Sequence, residues 1–255
     1  EVKNQIVASL KKEIGNEKII MAVSGGVDSL VCATLIKEAA PDNLHLIFID
    51  TGLMRKGEIT EVEKIIKTVG FRNFKTVDAS IIFLSALEGV TDPEEKRKII
   101  AREYFKVFER EAERIKGVRF LSQGTIYPDR IESAQSSKHA DKIKSHHNLT
   151  LPTGLTLKII EPIGELYKDE VRKLGRLIKI PEDFLMRHPF PGPGLAIRIL
   201  GVVTTERLDI LREVDNIFIS ELKATKLYSS VGQAFAALFP LKSVGVMGDA
   251  RTYSY

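Results

Sequence analysis

Thiols and tryptophan are nearly absent from this chain of 255 residues, which has one cysteine, Cys32, and no tryptophan. A single cysteine cannot close an internal disulfide, and no CxxC pair is present to hold zinc or an iron–sulfur cluster. Because Cys32 lies within an apolar pattern, the sequence favours a buried packing residue over a reactive thiol. Disulfide-stabilised scaffolds and thiolate metal centres are therefore not expected.

Long apolar runs are also missing, and none approaches the length needed to cross a bilayer. The first residues, EVKNQIVASLKKEIG, are typical of a charged amphipathic helix and not of a signal peptide. We therefore expect a soluble, cytoplasmic protein with no membrane partner. The positive charge is modest, with a formal net charge of +4 and a pI near 9.0. It favours anionic ligands but does not choose between nucleotide phosphates and nucleic acid.

Short runs rich in β-branched and other apolar residues recur along the chain, and helical patterns lie between most of them. This alternation predicts an α/β fold with a parallel five-stranded sheet flanked by helices. A hydrophobic content of 44% is enough for one large domain or for one domain with a smaller companion. The five predicted strands cover residues 18–23, 44–50, 74–79, 118–124 and 157–162.

The clearest helical pattern begins at Asp92, where an N-cap, a proline at the first helical position and an acid at Glu95 form a start signal. Apolar residues then recur at helical spacing from Ile100 to Ile115, so one face of this helix should pack on a sheet. Residues 133–152 are polar, basic and aperiodic, which predicts a long loop of the kind that often forms a lid.

Three prolines and two glycines between Pro189 and Gly194 predict a domain boundary, because such a segment cannot continue a helix. We expect one domain over residues 1–188 and a small α+β domain over residues 189–255. The second should contain a strand-like LAIRIL segment, a helix from about Thr205 to Lys223, and strands in SVGVMGD and RTYSY. Because RTYSY has no closing element, we expect the second domain to be incomplete at Tyr255.

The segment KIIMAVSGGVDSL places two glycines, two serines and an aspartate directly after the first predicted strand. In α/β sheets the first strand-to-helix turn is the usual phosphate site. Glycine N–H groups and a helix N-terminus favour an anion there, and Asp28 is placed to hold Mg²⁺. The chain has no GxxxxGK[ST] and no GxGxxG motif. A tight turn with incidental hydroxyls is the structural alternative.

SGGVDS resembles the pyrophosphatase loop of the ATP pyrophosphatase superfamily, whose members adenylate a substrate oxygen and release pyrophosphate. Further motifs, which extend over nearly the whole chain, resemble the ATP-pyrophosphatase subunit of GMP synthetases. HPFPGPGL is the most discriminating of them, because a bare phosphate loop gives no reason for it. The motifs are TDPEEKRKII, QGTIYPDRIES, IKSHHN, YKDEVRKLG, HPFPGPGLAIRILG and SVGVMGDARTY.

The resemblance implies that ATP adenylates O2 of xanthosine monophosphate (XMP) with release of pyrophosphate, and that ammonia then displaces AMP from C2 to give GMP. It also implies that the glycine-rich loop binds ATP with Mg²⁺, and that Asp28 is both a metal ligand and a catalytic residue. For Leu53, ordinary loop packing is the alternative to an adenosine contact. The implied ATP-binding residues are Ser24, Gly25, Gly26, Val27, Asp28, Ser29, Leu30, Leu53 and Gly124.

Asp129 and Glu132 resemble the family's catalytic acidic lid residues, and their spacing places both on one face if the segment is helical. A solvated charged turn is the alternative. Lys144 resembles a catalytic lid lysine that neutralises phosphate charge during adenylation. His146 and His147 have no acid or cysteine at ligand spacing beside them, so we expect contacts to nucleotide and not a metal site.

Arg97, His188 and Arg198 are the residues that the resemblance places at XMP. The alternatives are a surface helix charge for Arg97 and fixation of the backbone for His188 and Arg198. Two departures from the family matter here. The family commonly has a glycine-rich stretch after HHN, where this chain has LTLP, and the family's C-terminal segment that helps to bind XMP is absent. The lid conformation and the contacts of that segment are therefore not assigned.

The sequence begins almost directly at the predicted ATP domain, and Cys32 has neither a nucleophile elbow nor a nearby histidine. We therefore expect a stand-alone synthetase subunit that uses free ammonia or a separate glutamine amidotransferase subunit. The resemblance also implies a homodimer through the C-terminal domain. NAD synthetase is the rival enzyme, and a non-catalytic nucleotide-sensing or RNA-binding module is the rival from another class. Since RNA-stacking aromatic motifs are missing, we expect no nucleic-acid partner.

Overall fold

Six strands form the main sheet of the computed structural model, and two further strands form a separate hairpin. The structure describes residues 1–136, 148–151, 154, 156–247 and 250–254. The strands of the main sheet are β1 (Lys18–Ala22), β2 (Leu44–Asp50), β3 (Asn73–Asp78), β4 (Val118–Ser122), β5 (Asn148–Thr150) and β6 (Thr156–Ile160). The hairpin consists of β7 (Ser243–Met247) and β8 (Ala250–Ser254).

The strand order is β3-β2-β1-β4-β6-β5, and all pairs are parallel except β5 with β6. The predicted parallel sheet of five strands is therefore confirmed, and β5 adds an antiparallel edge strand to it. The prediction of a loop over residues 133–152 is wrong at both ends, since a helix continues to Ser136 and β5 begins at Asn148. Pairing with β6 supplies an order that the polar local sequence does not indicate.

Nine α-helices are assigned among the described residues, and helices flank the parallel sheet as predicted. Two short 3₁₀ helices are also present, Gly194–Arg198 before the last α-helix and Tyr228–Ser230 after it. The α-helices are α1 (Val2–Ile14), α2 (Val27–Ala39), α3 (Glu58–Val69), α4 (Ser80–Ala86), α5 (Pro93–Glu113), α6 (Tyr127–Ser136), α7 (Lys168–Leu177), α8 (Glu182–Leu185) and α9 (Thr205–Ala224). None of these described helices has the length and hydropathy of a membrane span.

Two compact units, interleaved along the sequence, make up the chain. The first unit contains Glu1–Asp50, Glu58–Asp78 and Phe105–Pro189. The second unit contains Thr51–Gly57, Ala79–Tyr104 and Phe190–Tyr255. The last segment of the second unit begins close to the predicted boundary, but two earlier segments also belong to that unit. The division into consecutive domains at residues 188 and 189 therefore stays a prediction.

The core of the first unit is built around β1 and α2. Ile19, Ile20 and Met21 of β1 are fully buried, as expected for a central parallel strand covered on both faces. Helix α2 is buried almost all round, because it packs against α1 and α7 as well as against β2. Cys32 lies in this helix with no exposed surface, which confirms the prediction of a packing residue.

Helix α5 begins as its sequence predicts. The Asp92 carboxylate accepts a hydrogen bond of 2.8 Å from the backbone N–H of Glu95, which is the N-cap contact. Of its predicted apolar face, Ile100, Val107, Phe108 and Ala112 are buried. The sequence did not indicate that Lys96, one turn after the cap, is also fully buried.

Lys96 binds the backbone that follows the proline–glycine segment, within the second unit. Its ammonium donates to the carbonyls of Ala196, Ile199 and Gly201 at 3.2, 2.8 and 2.5 Å. Burial lowers the pKa of Lys96, and the neighbouring Arg207 lowers it further. The predicted LAIRIL strand is wrong, because residues 194–198 form a 3₁₀ helix, in which the Ala196 carbonyl accepts from this cation.

The rest of the second unit agrees with the sequence in its regular elements. Helix α9 covers Thr205–Ala224, and the hydroxyl of its N-cap Thr204 accepts from the backbone N–H of Arg207 at 3.2 Å. The hairpin of β7 and β8 contains the two runs that were predicted as strands. The two predicted strands are therefore confirmed over residues 243–247 and 250–254, where they pair antiparallel.

Replacing Cys32 by alanine is expected to flatten the alkaline stability profile. Burial raises the pKa of the Cys32 thiol from 9.0 to about 12, and a hydrogen bond with Ser122 only partly offsets this. Between pH 9.0 and about 12 the unfolded chain binds fewer thiol protons than the folded chain. The free energy of unfolding therefore falls by about 1.4 kcal/mol per pH unit for this one proton.

Urea unfolding of the wild type and of Cys32→Ala across that range measures the difference in slope. Tyr104, whose pKa burial also raises to about 12, lowers the stability of both proteins alike and cancels in the comparison. Parallel stability profiles for the two proteins would contradict the prediction.

Candidate functional site

The chain order of the sheet reverses between β1 and β4, which are parallel neighbours. Strands β2 and β3 lie on one side of β1, and β4 and β6 lie on the other. The carboxyl ends of β1 and β4 therefore border the crevice in which open parallel sheets bind ligands. Residues 24–29, which we call the glycine loop, leave β1 at this point and lead into α2.

Serine hydroxyls hold the glycine loop in a closed shape. The Ser29 hydroxyl donates to the Gly26 carbonyl at 2.9 Å, and the backbone N–H of Gly26 donates to the Ser24 hydroxyl at 3.3 Å. Gly26 is also the N-cap of α2, and it has no side chain with which to cap that helix. The first N–H groups of α2 and the positive end of its dipole are therefore directed at the crevice, as in anion sites.

Two glycines bring the chain close together here. Gly25 has a φ of +76°, and a Cβ on it would lie 2.7 Å from Val62 Cγ2, so a larger residue would be strained and would clash. Gly124, which follows β4, would place a Cβ 3.2 Å from the backbone N and Cα of Ser29. The segment after β4 thus approaches the backbone of the glycine loop, which brings predicted residues Gly25, Ser29 and Gly124 to one site within the first unit.

Asp28 is the residue of the glycine loop whose side chain best fits a cation. Its Oδ2 accepts from Lys168 Nζ at 2.6 Å, but its Oδ1 is buried and has no hydrogen-bond partner among the described residues. A buried carboxylate oxygen left in this way is costly unless a ligand satisfies it. Mg²⁺ prefers oxygen ligands and commonly uses one or two carboxylates together with substrate phosphates.

The donor set fits magnesium held mainly by a nucleotide. Within the described part of the chain, no group of three or more His, Cys, Asp or Glu side chains has the arrangement of a metal site. The protein would therefore supply the Asp28 carboxylate, and phosphate oxygens and water would supply the other ligands. A cage made only of protein side chains does not fit these residues.

Lys168 is a site residue that the sequence analysis did not single out. It is the first residue of α7 and forms an ion pair with Asp28, and both side chains are partly exposed. The motif YKDEVRKLG contains it, but only the distance between Nζ and Asp28 Oδ2 distinguishes it from Lys173, the other lysine of that helix. A cation beside the loop complements the negative charge of a bound phosphate.

Asp129 and Glu132 lie on α6, so the condition for a shared face is met. Both are exposed, and Asp129 Oδ2 accepts a hydrogen bond of 3.0 Å from the backbone N–H of Ile126 at the start of the helix. Asp129 therefore has a capping role in the structure whether or not it contacts ligand. The catalytic roles of both residues stay predictions. Lys144, His146 and His147 lie outside the described residues.

The residues predicted to contact XMP lie in different surroundings. Arg97, on α5 of the second unit, is exposed and forms an ion pair with Glu94 through two hydrogen bonds. His188 is buried in the first unit. Leu53, predicted to contact ATP, is fully buried in the second unit, where its carbonyl accepts from the Leu195 N–H at 2.8 Å. All three assignments stay predictions.

Arg198 is a buried member of the second unit. One of its guanidinium nitrogens lies 3.3 Å from Asp215 Oδ1, and its guanidinium packs over Phe190 and Phe235. Burial lowers the pKa of Arg198, and the nearby Arg55 lowers it further while Asp215 raises it. These contacts match the alternative of structural fixation, and the XMP contact stays a prediction. Val27 and Leu30 are buried, so their expected contacts with ATP would be made by backbone atoms.

Two family models match separate parts of the chain. One, described as "Phosphoadenosine phosphosulfate reductase domain", matches residues 18–123, which include the glycine loop. The other, described as "GMP synthase C terminal domain", matches residues 220–255.

Curated relatives match the chain over nearly its whole length. The glutamine-hydrolyzing GMP synthase of Aquifex aeolicus (strain VF5) is 56% identical over 248 residues, which is 97% of this chain and 48% of that protein. The same enzyme of Petrotoga mobilis (strain DSM 10674 / SJ95) is 53% identical over 255 residues, which is 100% of this chain and 50% of that protein. The chain therefore spans about half the length of the curated relatives it matches.

Among solved structures, an NH3-dependent NAD synthetase from Campylobacter jejuni subsp. jejuni NCTC 11168 has a TM-score of 0.54 and 15% sequence identity. The match covers 90% of this chain and 86% of that chain. At this identity the likeness concerns the fold alone, which is the parallel sheet with flanking helices.

Proposed function

We propose that this chain is a ligase that makes GMP from XMP, ATP and ammonia. Nearly its whole length matches about half the length of each of two glutamine-hydrolyzing GMP synthases. The observation that carries the proposal is 53% to 56% identity across nearly the whole chain, including a glycine loop with an orphan carboxylate oxygen at the ligand crevice. NAD synthetase, the rival enzyme, is supported only by likeness of fold at 15% identity.

The glycine loop would bind the β- and γ-phosphates of ATP. Its exposed backbone N–H groups, the serine hydroxyls and the N-terminus of α2 stabilise phosphate oxygens in the ground state and the pyrophosphate charge that develops during adenylation. Mg²⁺, when bound, neutralises part of that charge. Asp28 Oδ1 is the side-chain oxygen that would hold the ion, because it is buried without a partner among the described residues.

Lys168 would change partner when ATP binds. In the structure its ammonium is 2.6 Å from Asp28 Oδ2 and neutralises that carboxylate. With Asp28 holding Mg²⁺, the ammonium of Lys168 would be available to phosphate oxygens of the same site. The leaving pyrophosphate would then lie near two positive charges, the ion and Lys168, which would stabilise the negative charge that it gains.

The remaining assignments complete the proposed reaction. Leu53 and Gly124 are the proposed adenosine contacts, and Asp129, Glu132 and Lys144 are the proposed catalytic residues of a lid. Arg97, His188 and Arg198 are the proposed XMP contacts. XMP O2 attacks the α-phosphorus of ATP, pyrophosphate leaves, and ammonia then attacks C2 of the adenylated intermediate with AMP as the leaving group. Every bond formed at C2 or phosphorus is balanced by the departure of AMP or pyrophosphate.

The source of ammonia and the oligomeric state also stay predictions. The matched relatives are named as glutamine-hydrolyzing enzymes and are about twice as long as this chain, so a glutaminase function belongs to those proteins as a whole. The proposal for this chain is therefore limited to the use of ammonia by the synthetase half. Exposed apolar side chains on α9, among them Val214, Ile217 and Phe218, support a homodimer formed by second units of two copies.

We expect the full-length protein with Mg-ATP, XMP and ammonium to release one pyrophosphate and one AMP for each GMP formed. Coupled pyrophosphate release and chromatography of the nucleotides measure this stoichiometry. Deamido-NAD in place of XMP is the matched substrate control and should give background release only. If pyrophosphate release depended on deamido-NAD and not on XMP, the chain would be an NAD synthetase and the proposal would fail.

A further inference from the structure

Arg187 joins the glycine loop to helix α3 through three polar contacts within the first unit. Its Nη1 donates to the carbonyl of Gly25 at 3.3 Å, and its Nη2 donates to Glu58 at 2.8 Å and to Glu61 at 2.9 Å. The side chains of Arg187 and Glu58 are only 19% and 7% exposed, so these contacts are partly shielded from water. The guanidinium also packs over Phe184.

We propose that Arg187 is a positioning residue that orients the peptide between Gly25 and Gly26 for phosphate binding, an inference that rests on the proposed ATP site. In a trans peptide the carbonyl and the following N–H point in opposite directions. Holding the Gly25 carbonyl towards Arg187 therefore turns the Gly26 N–H to the other side of the loop. There it lies 3.3 Å from the Ser24 hydroxyl, which is inside the proposed phosphate cradle.

The loop needs such an external contact because both residues of this peptide are glycines. Gly25 has a φ of +76°, and glycine adopts several backbone conformations at similar free energy. The orientation of the Gly25–Gly26 peptide therefore depends on its hydrogen bonds, one from the Gly26 N–H to the Ser24 hydroxyl and one from Arg187 to the Gly25 carbonyl. Arg187 donates the second of these from a side chain that is itself fixed by two carboxylates and an aromatic ring.

The charges around Arg187 favour this positioning role over direct binding of phosphate. The guanidinium faces Glu58 and Glu61, so the three side chains together carry a net charge of −1. Its nitrogens are directed at these carboxylates and at a loop carbonyl, whereas a phosphate ligand would direct them at the anion. The planar fork lets one nitrogen hold the loop while the other is held by α3, which a single ammonium cannot do in the same geometry.

Calorimetric binding of Mg-ATP and of AMP tests the inference. We expect Arg187→Met to raise the Kd for Mg-ATP about tenfold, the lower end of what the loss of one charge-assisted hydrogen bond causes. The Kd for AMP, which has no β- or γ-phosphate, should stay within about twofold of the wild type. Arg187→Lys should weaken Mg-ATP almost as much as Arg187→Met, because it restores charge but not the fork.

Arg176→Met is the control for the same chemical change, since Arg176 of α7 forms an exposed ion pair with Glu182 of α8 and should leave both Kd values unchanged. Equal weakening of Mg-ATP and AMP by Arg187→Met would overturn the inference in favour of a general structural role. Full affinity in Arg187→Lys would overturn it in favour of direct charge attraction.

A second variant keeps the test decisive if Arg187→Met does not fold. Glu61→Gln removes one exposed carboxylate that holds Arg187 and should weaken Mg-ATP in the same direction by a smaller factor. An unchanged Kd for Mg-ATP in every folded variant would overturn the inference alone. Failure of the wild type to bind Mg-ATP would overturn the proposed function as well, and the two failures are thus distinguishable.

Discussion

Asp28→Asn is expected to lower the rate of XMP-dependent pyrophosphate release by about 10²- to 10³-fold, the usual cost of removing one preorganised charge-stabilising group. The amide keeps the size of the side chain but removes the charge that would hold Mg²⁺ and that pairs with Lys168. The Kd for ATP without metal should change little, because loop N–H groups and hydroxyls stay in place. Steady-state release of pyrophosphate at saturating XMP measures the rate.

The same substitution should leave the fold nearly intact. The Asp28–Lys168 pair is partly exposed at both ends, so its loss should cost no more than about 1 kcal/mol. Asp42→Asn is the matched control, since it makes the same chemical change at an exposed ion pair with Arg72 on the surface. A folded Asp28→Asn protein that retains the wild-type rate would contradict the assignment, and an unfolded one would show that Asp28 is structural.

The parallel strands could be predicted because each carries its own signal. The second strand was placed at residues 44–50, the bounds that β2 has in the structure. Buried strands of this kind are short apolar runs that end at turn residues, and such a signal does not depend on the rest of the chain. The start of α5 was equally local, since Asp92 caps a residue only three positions away.

Contacts between distant residues account for what the sequence did not indicate. Lys168 and Asp28 are 140 positions apart, and Arg187 and Gly25 are 162 positions apart. Neither cation differs in local pattern from a solvated helix or loop charge. Lys96 was missed for the same reason, because its three carbonyl partners lie about a hundred positions further along the chain. The glycine loop could be recognised alone, but the side chains that hold it could not.

The LAIRIL segment shows how tertiary contacts override a local pattern. Its alternating apolar residues favour a strand, but Gly194 has a φ of +63° and the segment turns into a 3₁₀ helix. The buried ammonium of Lys96 donates hydrogen bonds to the carbonyls of both Ala196 and Ile199. A strand would direct these two carbonyls to opposite sides. A buried cation with backbone ligands thus selects the conformation that satisfies its hydrogen bonds.

Gly194→Ala is expected to destabilise the second unit by about 3 kcal/mol or more, as the sum of left-handed backbone strain and a steric clash. A Cβ on Gly194 would lie 2.4 Å from the carbonyl oxygen of Leu53, a backbone atom that cannot rotate away. Moving that carbonyl would also break its hydrogen bond of 2.8 Å with the Leu195 N–H. Urea unfolding followed by circular dichroism measures the change in free energy.

Gly192→Ala is the matched control in the same proline–glycine segment. In the described part of the chain, a Cβ at Gly192 would have no heavy atom within 4 Å apart from its chain neighbours. The φ of Gly192 is not in the left-handed range. Its stability should therefore stay within about 0.5 kcal/mol of the wild type. Equal stability of the two variants would contradict the clash at Gly194. A selective loss in Gly194→Ala would instead establish that the segment is held against Leu53 by a contact that only glycine permits.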